Sequence, residues 1–478
     1  LNLEGELPQS WATARLDEVC GINERSFSPL PTAYDMPIHF VPMAAVRGEF
    51  GGIDLATKRP LGEVIKGYTA FVEGNVLFAK ITPCMENGKL ALVPKLANHV
   101  GFGSTEFHVL HSGDAVLAAW IARYVSQLAF RRAARQDMSG SAGQLRVQTP
   151  WLAAVSVPVA PLAEQHRILQ RVDEALSEID AGVLELEAAK RKLTLYRQSL
   201  LKAAVEGALT AGWRQRRRLS SSVTSQNSGT DAPAWLPPDW RWLRVDQLPG
   251  ISMSNGRSVP TAVEGAKVLR LTAVRAGRID LGEYKLGSWS NAEAQPFAVH
   301  EGDLLVVRGN GSLSLVGRAG VVPATTEQIA YPDTLIRVRC DTGVVRPRWL
   351  ACVWDSELVR NHLERRARTS AGIYKISQPD IASATLPLPS RDEQDEALAL
   401  LDAELSRVDS IEQSLALAER SATAQRQNIL RAAFSGQLVP QDPNDEPASV
   451  LLERVRAQRG AAGDKPAARR PRKAKIAA

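Results

Sequence analysis

The chain repeats itself at a fixed interval, and a repeat of this length restricts it to architectures built from two similar halves. VPVAPLAEQHRI at 157–168 returns 229 residues later as LPLPSRDEQDEA at 386–397, so Pro158, Glu164 and Gln165 answer Pro387, Glu393 and Gln394. Near the start, LPQSWATARLDEV (7–19) answers LPPDWRWLRVDQL (236–248), matching Leu7, Pro8, Trp11, Arg15 and Asp17 with Leu236, Pro237, Trp240, Arg244 and Asp246. The interval drifts by a residue or two in between, where AAVR (44–47) meets TAVR (272–275) and EGNVLFAK (73–80) meets EGDLLVVR (301–308). From Ala142 and Gly143 against Ala371 and Gly372 it holds without a gap to Leu209 against Leu438.

The repeat divides the chain. A first variable region covers 1–160, a helical segment 161–213, a Ser-rich polar linker 214–233, a second variable region 234–389 and a second helical segment 390–440. VPQDPNDEP (439–447) ends the second helical segment, and in the remaining region, 441–478, ASVLLERVRAQR forms a short amphipathic helix and the Ala, Lys, Arg and Pro tail reads as disordered. In the first long helix the apolar positions run Val172, Leu176, Ile179, Val183, Leu186, Leu193 and Leu200, a heptad seam interrupted by Lys190 and Arg197. The second keeps Leu398, Leu401, Leu405 and Val408; Glu412 then falls on the seam, and Ile411 with Leu415 is expected to replace it in a local stutter. Gly207 and Gly436 stand where a left-handed C-cap is wanted. Two matched helices of about 45 residues favour mutual antiparallel pairing, each spanning about 65 Å. In the repeated motif the prolines are expected to end a strand and Glu-Gln to open the helix, with the acid favoured by the helix dipole.

The variable regions read as α+β. KVLRLTAV (267–274), DLLVVR (303–308) and TLIRVR (334–339) suit short strands, and 115–135 and 346–367 suit helices that follow the strands in each copy.

Composition excludes more than it selects. The formal charge is +6, from 58 basic and 52 acidic residues, and Lys465, Arg469, Arg470, Arg472, Lys473 and Lys475 in the tail account for all of it. A DNA-binding face must therefore come from local clustering. No apolar run approaches the ~18 residues that cross a bilayer, and the start, LNLEGELPQSW, carries no basic and apolar leader, which predicts a cytoplasmic protein. Cys20, Cys84, Cys340 and Cys352 form no CxxC pair, which disfavours both a disulfide framework and a zinc site.

A search for catalytic constellations returns nothing. ENGKL (86–90) lacks the preceding Gly of a phosphate loop, and there is no GxSxG, HExxH or Asn-Pro-Pro-aromatic motif. Pro332 and Asp333 are followed by no acid-x-Lys, and His108 with His111 form an HxxH on a strand, where alternation points them to opposite faces. Basic clusters do recur: Arg131, Arg132 and Arg135 precede GSAGQLRV, and Arg360, Arg365, Arg366 and Arg368 precede SAGIYKI. Because Arg131 falls opposite Arg360, the recurrence favours phosphate contact over a merely solvated helix face. With the loop cations and amides, the candidate DNA-binding residues are Arg47, Lys80, Lys89, Arg131, Arg132, Arg135, Gln144, Arg146, Arg275, Arg308, Arg318, Arg360, Arg365, Arg366, Arg368 and Lys375.

This pattern resembles the specificity subunits of type I restriction-modification systems. The resemblance is carried by the tandem order and by AGQLRVQTPWLAAVSVPVAPLAEQHRI (142–168) with its echo AGIYKISQPDIASATLPLPSRDEQDEA (371–397). The helix ends LKAAVEGALTAGWR and LRAAFSGQLVPQDPNDEPASVLLERVR add to it, so that it covers about Leu7 to Arg459. The second copy departs from the commoner Pro-Leu-x-Glu-Gln in having Pro389, Ser390 and Arg391 before Asp392.

The resemblance implies two tandem α/β target recognition domains separated by two long helices that form an antiparallel coiled coil, with pseudo-twofold symmetry. Each domain would read half of a bipartite, asymmetric site on double-stranded DNA. The helices would dock two methyltransferase subunits, which bind S-adenosylmethionine, and restriction subunits using ATP and Mg would join them. This chain would be non-catalytic and bind no cofactor or metal. Alternatives are a targeting subunit of a methyltransferase-only system, a self-contained modification or restriction enzyme, and a coiled-coil interaction protein unrelated to DNA.

Overall fold

The computed structural model describes residues 6–24, 33–141, 143–218, 232–275, 277–370 and 372–463. The expected disordered tail and most of the expected linker lie outside these residues. Contacts group the chain into two compact units, 1–185 with 417–478 and 186–416.

The long helices are where the repeat predicts them. They run Leu162–Val205 and Arg391–Phe434, 44 residues each, with both ends 229 residues apart. Each stops at its glycine: Gly207 has φ +77° and Gly436 φ +74°, a conformation that costs other residues strain. A Cβ would also be too close to a proline ring, Pro237 for Gly207 and Pro8 for Gly436. A further helix, Ala211–Arg218, extends into the expected linker, so 214–218 is ordered; Arg217 pairs with Asp392 at 2.9 Å.

In the first unit, Cys20–Ile22, Phe107–Ser112, Val76–Ala79 and Leu90–Leu92 form an antiparallel sheet in that order. A second four-stranded sheet orders Lys58–Pro60, Pro37–Val41, Val100–Gly103 and Thr69–Val72, its middle pair parallel. The second unit has a six-stranded sheet that includes Ser252–Asn255, Leu335–Arg339 and Leu304–Val307 as neighbours, with smaller sheets beside it. The segment expected as one strand at 267–274 is split: Thr261–Leu269 is a strand, and Leu271–Ala273 a 3₁₀ turn. Each helix expected after the strands is broken in the same place, into Ala118–Ser126 and Leu128–Gln136 around Gln127, and into Pro347–Asp355 and Glu357–Arg366 around Ser356.

The repeated Pro and Glu-Gln motif ties domain to helix. Pro158 and Pro387 do not end their strands; they lie inside Ser156–Val159 and Thr385–Leu388, each in a two-stranded ladder that tolerates a missing N–H on its open side. Their carbonyls accept from the indoles of Trp120 (2.9 Å) and Trp349 (3.2 Å). Gln165 accepts from Leu117 N and donates to the carbonyls of Ala115 and Ala160; Gln394 repeats this with Arg346 N and the carbonyls of Val344 and Pro389. Glu164 is fully buried, and burial raises its pKa despite hydrogen bonds from Trp11 and Gln441.

One aromatic core surrounds each clasp. Trp11, Trp120, Tyr124, Phe130 and Phe434 share the main core of the first unit, to which the helix Ala448–Gly463 adds Leu451, Leu452 and Val455. Trp240, Trp349 and Trp354 share that of the second with Leu200, Ala204 and Val205. At the expected stutter Ile411 is 48% exposed, Leu415 is half-buried, and Glu412 accepts from Arg197 at 3.3 Å. The residue expected to be displaced is thus paired with a charge from the other long helix.

Candidate nucleic-acid interface

The same corner is built in each unit from the end of a buried strand and the loop after the broken helix. In the first, Val76–Ala79 leads to Lys80, whose carbonyl accepts from Val147 N at 2.8 Å, and Arg146 forms bridges with Ile81 and Ser139. In the second, Leu304–Val307 leads to Arg308, whose carbonyl accepts from Ile376 N at 2.9 Å, and Lys375 pairs with Gly309 and Arg368. Arg146 therefore matches Lys375, and Ser139 matches Arg368.

Gly143 and Gly372 make the turn at φ +83° and +76°, and a Cβ at either would meet nothing within 4 Å. Backbone conformation, not crowding, demands glycine there. The Thr82 hydroxyl fastens the first loop, accepting from Leu145 N at 3.1 Å and donating to Gly143 O at 3.3 Å.

The predicted cations divide by partner. Arg131 and Arg360 are turned inward, 6% and 7% exposed. Arg131 binds Glu49 through two bonds of 2.9 Å and the Glu86 carbonyl; Arg360 binds the carbonyls of Val316 (2.7 Å) and Ser314 (3.1 Å) and the Glu364 carboxylate. Their recurrence thus has a structural cause, because each anchors its helix to a neighbouring loop, and it no longer supports phosphate contact.

Arg146 is held bidentately by Glu106 at 2.9 Å, a bond that lowers the Glu106 pKa. Arg135 pairs with Glu86, Arg275 with Glu283 (2.9 Å) and Asp280 (3.7 Å), and Arg318 with Asp355 (3.7 Å). Lys89 donates to the Met43 carbonyl at 2.8 Å, Arg308 reaches the Asp333 carbonyl at 3.4 Å, and Lys80 is half-buried beside Glu106.

Arg47, Arg132, Arg365, Arg366, Arg368, Lys375 and the Gln144 amide remain exposed, and their side chains have no hydrogen bond or ion pair among the described residues. Cross-strand pairing brings Arg368 and Lys375 together, and Arg365 and Arg366 close the helix just before them. Sequence reasoning misses Glu106 and Thr82, which lock the first loop; neither lies in a motif that marks it.

His108 and His111 point apart as expected. His108 is buried against Asn23 and the Val147 carbonyl, while exposed His111 meets Asn75. Among the described residues no cluster could hold a metal ion, and no helix is long and apolar enough to cross a membrane.

Two mixed α/β units, each with a glycine-turned, cation-bearing corner, and two long helices make a tandem-repeat chain. Curated proteins are similar to it over most of its length. It is 28% identical to the EcoKI type I restriction enzyme specificity subunit of Escherichia coli K12, over 82% of this chain and 84% of the relative. It is 25% identical to the StySPI specificity subunit of Salmonella potsdam, over 98% and 99%.

Among solved structures, one from work on the assembly and conformational transition of a type I restriction-modification system shares the fold, with TM-score 0.69 and 20% identity over 91% of this chain and 100% of that one. The HsdS subunit of Thermoanaerobacter tengcongensis follows at TM-score 0.54 and 20% identity, over 91% and 99%. No protein-family model matches the chain. The chain is a relative of the type I restriction enzyme specificity subunits, as its repeat suggested, and the expectation of a targeting rather than a catalytic subunit agrees with what those relatives are.

Proposed function

We propose that this protein directs a type I restriction-modification complex in the cytoplasm to a bipartite, asymmetric site on double-stranded DNA, each unit contacting one half. The observation that carries this is the duplicated corner: one framework of strand end and glycine turn, dressed with different side chains in the two copies. Identical frames make equivalent contacts with DNA, and different side chains make the halves of the site unlike.

The long helices pair antiparallel as a pseudo-twofold coiled coil and set the gap between half-sites. Ion pairs support this, since Asp180 meets Arg426 and Arg197 meets Asp409, the later residue of one helix with the earlier of the other. Leu184, Leu195, Ile411 and Leu417 are exposed on these helices and suit docking of two methyltransferase subunits. Restriction subunits join that core; S-adenosylmethionine, ATP and Mg belong to the partners.

The test is methylation mapping by single-molecule sequencing in cells with and without the gene. One bipartite adenine motif should lose its methylation on deletion. An active system whose methylated motifs are all unchanged would sink the proposal.

A further inference from the structure

If each unit reads half a site, as proposed above, a base-reading residue must face outward and must differ between the copies. Few positions in the duplicated corner satisfy both conditions. The turn glycines are the same, and Lys80 and Arg308 are both half-buried cations at a strand end. Directly after the turn glycine the copies diverge: Gln144 follows Gly143, and Ile373 follows Gly372, at the 229-residue interval. Both side chains are exposed.

Ile373 is unusual in its setting. It is 42% exposed on a hairpin that also carries Arg368 and Lys375, and it stands outside the apolar core of its unit. A large β-branched side chain standing among unpaired cations suits a partner that is anionic at its rim and apolar within. Double-stranded DNA is such a partner: phosphates line the groove, and the thymine methyl is an apolar spot on its floor.

The mechanical requirement is also met. The first loop is closed by reciprocal bonds between Ser139 and Arg146 (3.1 and 2.9 Å) and by the Thr82 clip, and the second is a ladder of Gly309, Lys375 and Arg368. Such supports hold a side chain in one place, as base readout demands. The open space around each turn glycine leaves room for the backbone to approach a phosphate or base edge. The major groove, about 12 Å wide, admits a two-stranded ribbon of this kind.

We infer that the 139–146 loop and the Arg368–Lys375 hairpin enter the major groove, one in each half-site. Gln144 reads an adenine and Ile373 a thymine. The Gln144 amide offers a donor and an acceptor to adenine N7 and N6, and Ile373 packs on the thymine methyl. Arg368 and Lys375 take adjoining phosphates.

The test uses the full chain with its own methyltransferase subunits in a host lacking them, reading methylated adenines across the genome for Gln144→Ile, Gln144→Ala, Ile373→Gln and Ile373→Ala. The Gln144 variants should relax preference at one adenine position of one half-site, by roughly tenfold or more. The Ile373 variants should relax one thymine position of the other half.

Unchanged preference at every position, or changes confined to the same half-site for both residues, would overturn the inference. Should a variant methylate nothing, the purified complex is titrated with motif-bearing and scrambled duplexes. Equal affinity for the two supports the inference, and an intact preference for the motif overturns it. A wild-type chain that directs no bipartite methylation sinks the proposed function itself, a different result from a wild-type motif that survives in the variants.

Discussion

The Trp11 indole N–H donates to the buried Glu164 carboxylate at 3.0 Å, and the second repeat builds the same clasp without that bond. Glu393 accepts instead from the Thr210 hydroxyl at 2.8 Å and from the Arg214 guanidinium, and the Trp240 indole nitrogen is buried with no hydrogen-bond partner among the described residues. The two indoles are interchangeable in sequence but not in energy. Trp11→Phe should lower stability by about 1–3 kcal/mol, because a buried carboxylate loses a donor. Trp240→Phe should cost less than Trp11→Phe, since it leaves the cavity of a smaller ring but breaks no hydrogen bond. Urea midpoints of the two variants check this, and equal losses would refute it.

His108 and Glu164 contribute to the pH response of the first unit in opposite senses. Burial pushes the His108 pKa below the ordinary value of 6.5, and its two ring nitrogens meet Asn23 and the Val147 carbonyl as a neutral imidazole would. Below that value the unfolded chain takes up the proton first, so His108 contributes stability that is present above pH 6.5 and lost as pH falls toward its folded pKa. Glu164 acts in the opposite sense: its raised pKa favours the folded state at low pH, and this contribution is lost as pH rises from 4.5 through the folded value. His108→Gln should therefore flatten the acid-side loss and Glu164→Gln should steepen it, measured as the difference from wild type in melting temperature between pH 7 and pH 5.

The frame of the molecule is legible in the repeat, because features that depend on local chemistry recur at one interval: helix lengths, capping glycines and the Glu-Gln clasp. Partners remote in sequence are not legible. Arg131 looks like a phosphate ligand until Glu49 is found beside it, and nothing in the sequence announces a pair separated by 82 residues. The breaks at Gln127 and Ser356 escape notice because neither residue is the Gly or Pro that marks a helix end in sequence. Glu412 reads as a residue to be displaced because its partner Arg197 belongs to the other helix.

That division among the cations yields a prediction. Arg131→Ala and Arg360→Ala should destabilise the protein by about 1–3 kcal/mol, the latter by stranding the buried Val316 carbonyl. Arg132→Ala and Arg365→Ala should leave stability within about 0.5 kcal/mol, yet weaken DNA binding and reduce the salt dependence of affinity by about one unit of slope each. Thermal unfolding and salt-titrated binding separate the two sets, and reversed behaviour would mean that the buried pair, not the exposed one, meets DNA.

The seam supplies the last prediction. Arg197 and Glu412 occupy positions where a heptad wants apolar residues, and they are 36% and 44% exposed, so their attraction is screened and the pair contributes under about 1 kcal/mol. Arg197→Leu alone should destabilise, because it leaves Glu412 facing an apolar neighbour and takes from Asp409 its partner. Adding Glu412→Leu should recover that loss and more, since two leucines on the seam bury area worth about 25 cal/mol per Å². A double-mutant cycle in urea, repeated in 1 M salt, reads the coupling directly. If the double variant is less stable than either single one, the polar pair is fixing helix register, and the cost of removing it is one of specificity rather than of charge.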